Sequence, residues 1–253
     1  VPPGRETLLR AARVAGALRS IGPAELEHLV ERTAAGDESS LGGLDPFPDC
    51  TSLEVRDALQ AIWGVSPEAH EIDPARTIDA AVEASRRMAS AAAHGESLVL
   101  ATAAPASLLP LYLCLARAAA GAGAQIVDEP DSPPFRCDGR GGRVLRRAGG
   151  VAFVTDGSSI LATVDSAAAD ELLFGAPRPD LVVGDGPFAF GAVRAGLATV
   201  AFAGVRGLAM GVAALRGAPV TVVPMCAERP AGSYVALLDV MEEAFAAELG
   251  EMA

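Results

Sequence analysis

The sequence contains no lysine and no asparagine, so all twenty of its basic residues are arginine. That excludes a lysine Schiff base, and with it pyridoxal-phosphate chemistry, and also the phosphate-binding lysine of a P-loop. The accompanying bias towards Ala, Gly, Arg and Pro is that of a G+C-rich coding sequence. Cys50, Cys114, Cys137 and Cys226 lie far apart without a C-x-x-C pair, and His28, His70 and His94 all fall in the N-terminal part. Neither a zinc site nor a disulfide framework is expected. Long apolar runs are missing as well: the longest, around 101–120, is broken by Pro105, Pro110 and Arg117 and is no membrane span. The opening VPPGRETLLR lacks the marks of a secretory signal, so the expected location is the reducing cytoplasm. A net charge of −12 argues against nucleic acid and against a membrane surface as partners, because both are bound through an excess of basic side chains.

What is present is a repeated pattern. Six apolar runs, Ser97–Thr102, Gly123–Asp128, Gly150–Thr155, Asp180–Gly184, Thr199–Ala203 and Pro219–Val223, each end in a short turn, and Ala-rich helical patterns separate most of them. Runs that are apolar throughout, rather than alternating, predict strands buried on both faces. The expected fold is therefore α/β, a mostly parallel, doubly wound, Rossmann-like sheet over residues 96–253. Residues 1–95 read as a helical region packed on it, with amphipathic patterns in 5–35, a helix over 53–63 capped from Thr51 or Ser52, and a long helix opened by Asp73-Pro74. The segment 129–147 breaks the rhythm: its prolines preclude a helix, and Asp138-Gly139 signals a hairpin. Its arginines 136, 140, 143, 146 and 147 suit either a charged edge strand that resists sticking or an anion-gripping lid.

Ligands of such sheets bind beyond the carboxyl ends of the strands, so candidate residues are sought there. Pro105 and Pro187 occupy first helical positions. Ala103 and Ala104 offer no capping oxygen to the helix that starts at Pro105, so the backbone around Ala104, Pro105 and Ala106, with Thr102 beside it and Gly186 in the turn after the fourth run, forms a candidate anion site. In Gly184-Asp185-Gly186-Pro187 the glycine spacing is wrong for the dinucleotide fingerprint, and Pro187 removes an N–H that a pyrophosphate needs. A nicotinamide or flavin cofactor is accordingly not expected. Asp185, an acid at a strand end in a turn bounded by glycine, is the leading catalytic and metal-binding candidate, with Asp156 and Asp128 at the equivalent ends of other strands as further Mg²⁺ ligands. Were the strand order 3-2-1-4-5-6, Thr102 and Asp185 would flank one crevice. Glu228 is a candidate base, Arg229 and Arg206 candidate phosphate forks, and Cys226 reads as an inert small residue.

From Ile72 onward, the runs IDPARTIDAAVEASRRM, LVLATAAPASLLPLYLCLARAAAGAGAQIV, RPDLVVGDGPFAFGAVRAGLATVAFAG and PVTVVP resemble a family of bacterial phosphatase proteins common in high-G+C species. The resemblance spans most of the chain, and Asp185 and Glu228-Arg229-Pro230 match it well. Two stretches depart from it: the family's Thr-Gly-His-Pro reads Thr102-Ala103-Ala104-Pro105 here, and its Ala-Asp-x-Asn-Asp reads Ala203-Gly204-Val205-Arg206-Gly207. The resemblance implies a metal-dependent phosphoric monoester hydrolase acting on, or only binding, a small phosphorylated metabolite, with a homodimer as a candidate assembly. The rival expectation is a ligand-binding or structural α/β protein without turnover, because a fold does not fix a function.

Overall fold

All six apolar runs become strands of one sheet in the computed structural model, which describes residues 4–18, 21–65, 70–174 and 177–252. The N-terminal part comprises α1 (Arg5–Ala11), β1 (Gly16–Ala17), α2 (Pro23–Ala34), the single turn α3 (Glu38–Leu41) and α4 (Ser52–Ala58). A π-helical turn over Leu59–Trp63 continues α4 and leads to β2 (Glu71–Ile72) and α5 (Pro74–Ala93). Next come β3 (Ser97–Ala101), α6 (Pro105–Gly121), β4 (Gln125–Ile126), β5 (Phe135–Cys137), β6 (Arg140–Ala148), β7 (Val151–Thr155), β8 (Ile160–Leu161) and α7 (Ala167–Phe174). The chain closes with β9 (Leu181–Asp185), α8 (Gly186–Arg194), β10 (Thr199–Ala203), α9 (Leu208–Leu215), β11 (Val220–Pro224) and α10 (Val235–Met252). No helix among the described residues is long and apolar enough to cross a membrane.

Among the described residues the sheet has nine strands, seven of them in the order β11-β10-β9-β3-β7-β6-β5, with β4 beside β3 and β8 beside β7, and the pairs from β11 through β7 are parallel. Successive residues point to opposite faces. Leu98, Leu100, Leu181 and Val183 therefore join the core beneath α5, α6 and α10, whereas Val99, Ala101 and Val182 join a second cluster with Leu172 of α7 and Phe188 of α8. Both faces are covered, which is why the runs read as apolar throughout.

The order departs from the expected 3-2-1-4-5-6 beside β3. There β4 pairs only with Ser97 and Leu98, while β7 takes the same edge higher up, opposite Leu100 and Ala101. The second run is thus a two-residue strand, with Glu129-Pro130 following it, and the third is the direct neighbour of β3. Gly149 and Gly150 both have positive φ, 56° and 79°, the combination a two-residue hairpin turn requires. That turn returns β6 antiparallel to β7, so the third run begins after a hairpin rather than after a helix. Asp138 and Gly139 repeat the geometry (φ 52° and 70°) between β5 and β6.

The arginine-rich segment is this hairpin, at the edge opposite β11. Its partners are local: Arg146 pairs with Asp131, Arg143 lies 3.5 Å from Asp156, and Arg147 donates to the carbonyls of Glu129 and Pro130. The first 95 residues are not wholly helical, because Gly16 and Ala17 pair antiparallel with Ile72 and Glu71, an ion pair between Arg10 and Glu71 alongside. Trp63, fully buried, donates Nε1–H to the carbonyl of Ala203, and Thr77 Oγ1 donates to that of Pro224, so the N-terminal part is bonded to the carboxyl ends of β10 and β11.

Candidate functional site

The candidates separate into two places at the carboxyl ends of the strands. The first lies between β3 and β9. Ala101 pairs with Gly184, which sets Thr102 beside Asp185. The β9–α8 turn needs Gly186, whose φ is +51° and where a Cβ would stand 3.0 Å from that of Ala103. The close approach brings the starts of α6 and α8 together, each with a proline in its first turn.

Asp185 stands at the cap position of α8 but makes no side-chain bond to that helix. Its carboxylate reaches across and accepts from the Ala103 N–H, 3.2 and 3.3 Å from the two oxygens. Thr102 Oγ1 accepts from Ala104 N–H at 3.1 Å. Asp185 thus places a carboxylate on the Ala103 amide, one residue before the Ala104 cap position of α6, on the side of the helix where its dipole favours an anion.

Asp185 is only 3% exposed, and burial pushes its carboxyl up to about 6, although the Thr102 and Tyr112 hydroxyls and the Ala103 and Ala104 amides pull the other way. The Tyr112 hydroxyl is buried and makes no hydrogen bond of ordinary geometry, yet the Asp185 carboxylate is near enough to help raise its pKa, after burial itself.

The three acids expected to share Mg²⁺ do not gather. Asp185 is buried; Asp156 lies two strands from β9, roughly 10 Å across the sheet. The Oδ1 of Asp156 accepts from the amides of Ser158 and Ser159 and from the Ser158 hydroxyl, which makes it the cap of the β7–β8 turn and lowers its pKa. Asp128 is exposed after β4, within electrostatic reach of Arg147. Among the described residues, the trio of possible ligand atoms within 4.8 Å of one another belongs to Cys137, Asp138 and Asp165. Those groups already serve one another: Asp165 accepts from the amides of Asp138 and Ala167, and the Cys137 thiol lies 3.1 Å from Thr163 Oγ1.

The second place is a pocket of about 260 Å³ beyond β10 and β11. Arg206, Glu228 and Arg229 all line it, with Gly204 and Cys226 between them. Its other wall comes from the N-terminal part, through Leu18 after β1 and Ile72 of β2. Bonds hold that wall in place: Cys226 N–H donates to the Val14 carbonyl at 2.8 Å, and Arg206 pairs with Glu25 at 2.7 Å. The Arg229 guanidinium donates from Nε to the Arg13 carbonyl at 3.2 Å, and it pairs with no carboxylate among the described residues. Glu228 is exposed.

Tyr234, 2% exposed, links the two places. Its hydroxyl donates to the Cys226 carbonyl at 2.9 Å and accepts from the Arg229 N–H at 3.0 Å, closing the 226–229 loop. Burial pushes its pKa up, and Asp185 is near enough to add to the effect. Sequence reasoning singled out neither tyrosine. The available signal was scarcity, since the chain has only two, and both are buried around Asp185 and the loop. Leu18 and Ile72 carried no local signal, being wall residues only through tertiary contact.

No curated protein and no solved structure matches the chain. A family model described as Phosphatase matches it over residues 5–247, from α1 to the last helix, and spans both places described above. The chain belongs to that Phosphatase family.

Proposed function

We propose that this is a phosphatase-like protein whose working site is the pocket beyond β10 and β11, where Arg229 and Arg206 receive the phosphate of a small phosphorylated metabolite. The observation that carries the proposal is Arg229, a cation in a recess, tethered to a neutral carbonyl with no described carboxylate paired to it. A guanidinium so placed presents its remaining N–H groups as a fork to phosphate oxygens. Glu228, next to it and exposed, is the proton-transfer group. It takes a proton from the attacking water and gives it to the leaving alcohol oxygen as the P–O ester bond breaks. Asp185, sealed beneath the sheet end, acts as a positioning residue that organises the starts of α6 and α8. We derive no step through Mg²⁺, because Asp185, Asp156 and Asp128 are not assembled to hold it.

A non-catalytic binding protein is the second reading, favoured by the dispersal of those three acids. One experiment separates the two: phosphate release from a panel of phosphomonoesters, with Mg²⁺, with Mn²⁺ and without metal. The hydrolase reading expects release that Glu228→Gln and Arg229→Gln each reduce by about tenfold or more. Binding without release across the panel establishes the binding protein instead. Release that both substitutions leave intact places the chemistry outside this pocket.

A further inference from the structure

The pocket has two unlike sides, and the difference bears on the ligand. Arg229, Arg206 and Glu228 lie along the strand-end loops, while Leu18 and Val205, each less than a tenth exposed, and the wholly buried Ile72 are apolar residues of the lining. The volume is also small. It falls just under the ~300–1,000 Å³ of sites that enclose drug-sized ligands. A nucleoside monophosphate would leave its base outside such a recess.

From this we infer that the site selects phosphomonoesters of compact, apolar alcohols, with the phosphate at Arg229 and the hydrocarbon part against Leu18 and Val205. The inference rests on the phosphate-binding reading of the same pocket. Apolar contact supplies the selectivity, because each buried methylene is worth a factor of about four in affinity. Hydroxyls on the carbon chain would lose water against this wall and find no partner there, which weakens a sugar-like ligand of equal length.

Phosphonates test this without turnover, since their P–C bond replaces the ester. The probes are methylphosphonate, n-butylphosphonate, 3,4-dihydroxybutylphosphonate and adenosine monophosphate, each titrated calorimetrically into the full chain. Butylphosphonate is expected to bind about tenfold or more tighter than methylphosphonate, since three further methylenes are buried. It should also bind tighter than its dihydroxy analogue and than the nucleotide. Val205→Thr, which exchanges a methyl for a hydroxyl, should lower the butyl-to-methyl affinity ratio about threefold or more, with thermal melting used to verify the fold. Equal affinities for methyl- and butylphosphonate, or tightest binding of the nucleotide, overturn the proposed ligand class while leaving the phosphate site standing. Failure of all four probes to bind, or binding that Arg229→Gln does not weaken, overturns the phosphate reading itself.

Discussion

The two strand-end regions occupy similar topological positions and have opposite contents. Beyond β3 and β9, amides and helix starts converge on Asp185, which is 3% exposed and bonded to Ala103 N–H. Beyond β10 and β11, a cation faces a recess of about 260 Å³. A parallel sheet places helix starts and loops at its carboxyl end, but side-chain supply decides which of these places stays available to a ligand. At β9 the chain's own carboxylate takes the Ala103 amide just ahead of α6. At β10 and β11, the N-terminal part bridges the loops through Val14, Arg13 and Glu25 and leaves a walled space.

The comparison is broken most forcefully at the closed region. Gly186→Val would place a β-branched residue at φ +51°, with its Cβ 3.0 Å from that of Ala103. A loss of about 3 kcal/mol or more is expected in denaturant unfolding. Retention of wild-type stability would show that the two helix starts are not held together there.

Protonation of Asp185 gives the next largest effect. Its folded pKa of about 6 lies above the unfolded value of about 3.9, so the folded state holds the proton more tightly. The burial penalty is therefore absent below about pH 4, grows as pH rises towards 6, and is fully present above it. It amounts to roughly 3 kcal/mol. Asp185→Asn lacks this titration, so its stability relative to wild type should rise by about that amount between pH 4 and pH 8. Asp37, Glu54, Asp156 and Asp180 have lowered pKa values and act in the opposite sense, but they are common to both proteins and cancel in the difference. A difference independent of pH would mean that Asp185 titrates as an exposed acid.

The link between the regions is the subtler target. Tyr234→Phe removes the hydroxyl that closes the 226–229 loop, and a cost of about 1–2 kcal/mol is expected in thermal or urea unfolding. Phosphate affinity should weaken several-fold at the same time, since Arg229 loses its backbone anchor. An unchanged affinity would uncouple the tyrosine from the pocket.

Much of this architecture is legible in the sequence, and the gaps have physical causes. The β9–α8–β10–α9 stretch was readable because its strands are buried on both faces and Pro187 marks a helix start. Asp73-Pro74 opened α5 as expected, the Asp73 carboxylate accepting from Ala75 N–H. By contrast, β6 is an edge strand made largely of Arg and Gly and presents no apolar run, so its antiparallel pairing with β7 was not legible. The adjacency of Thr102 and Asp185 could be argued from topology. That Asp185 would itself reach the Ala103 amide just ahead of the neighbouring helix could not, because this depends on the close approach at Gly186. Arg206, Glu228 and Arg229 were found as strand-end residues, but their pocket exists only because residues 13–18 and 72 fold over them.

The central claim is that phosphate binds beyond β10 and β11 and not at the helix start beside Asp185. The most direct measurement is the affinity for inorganic phosphate of wild type, Arg229→Gln and Asp185→Asn, by calorimetry at pH 7.5. The account predicts a loss of about tenfold or more in Arg229→Gln, the size of a charged hydrogen-bond pair. It also predicts a change within about threefold in Asp185→Asn, whose carboxylate touches protein groups only. Loss of binding in Asp185→Asn with Arg229→Gln unaffected would contradict it.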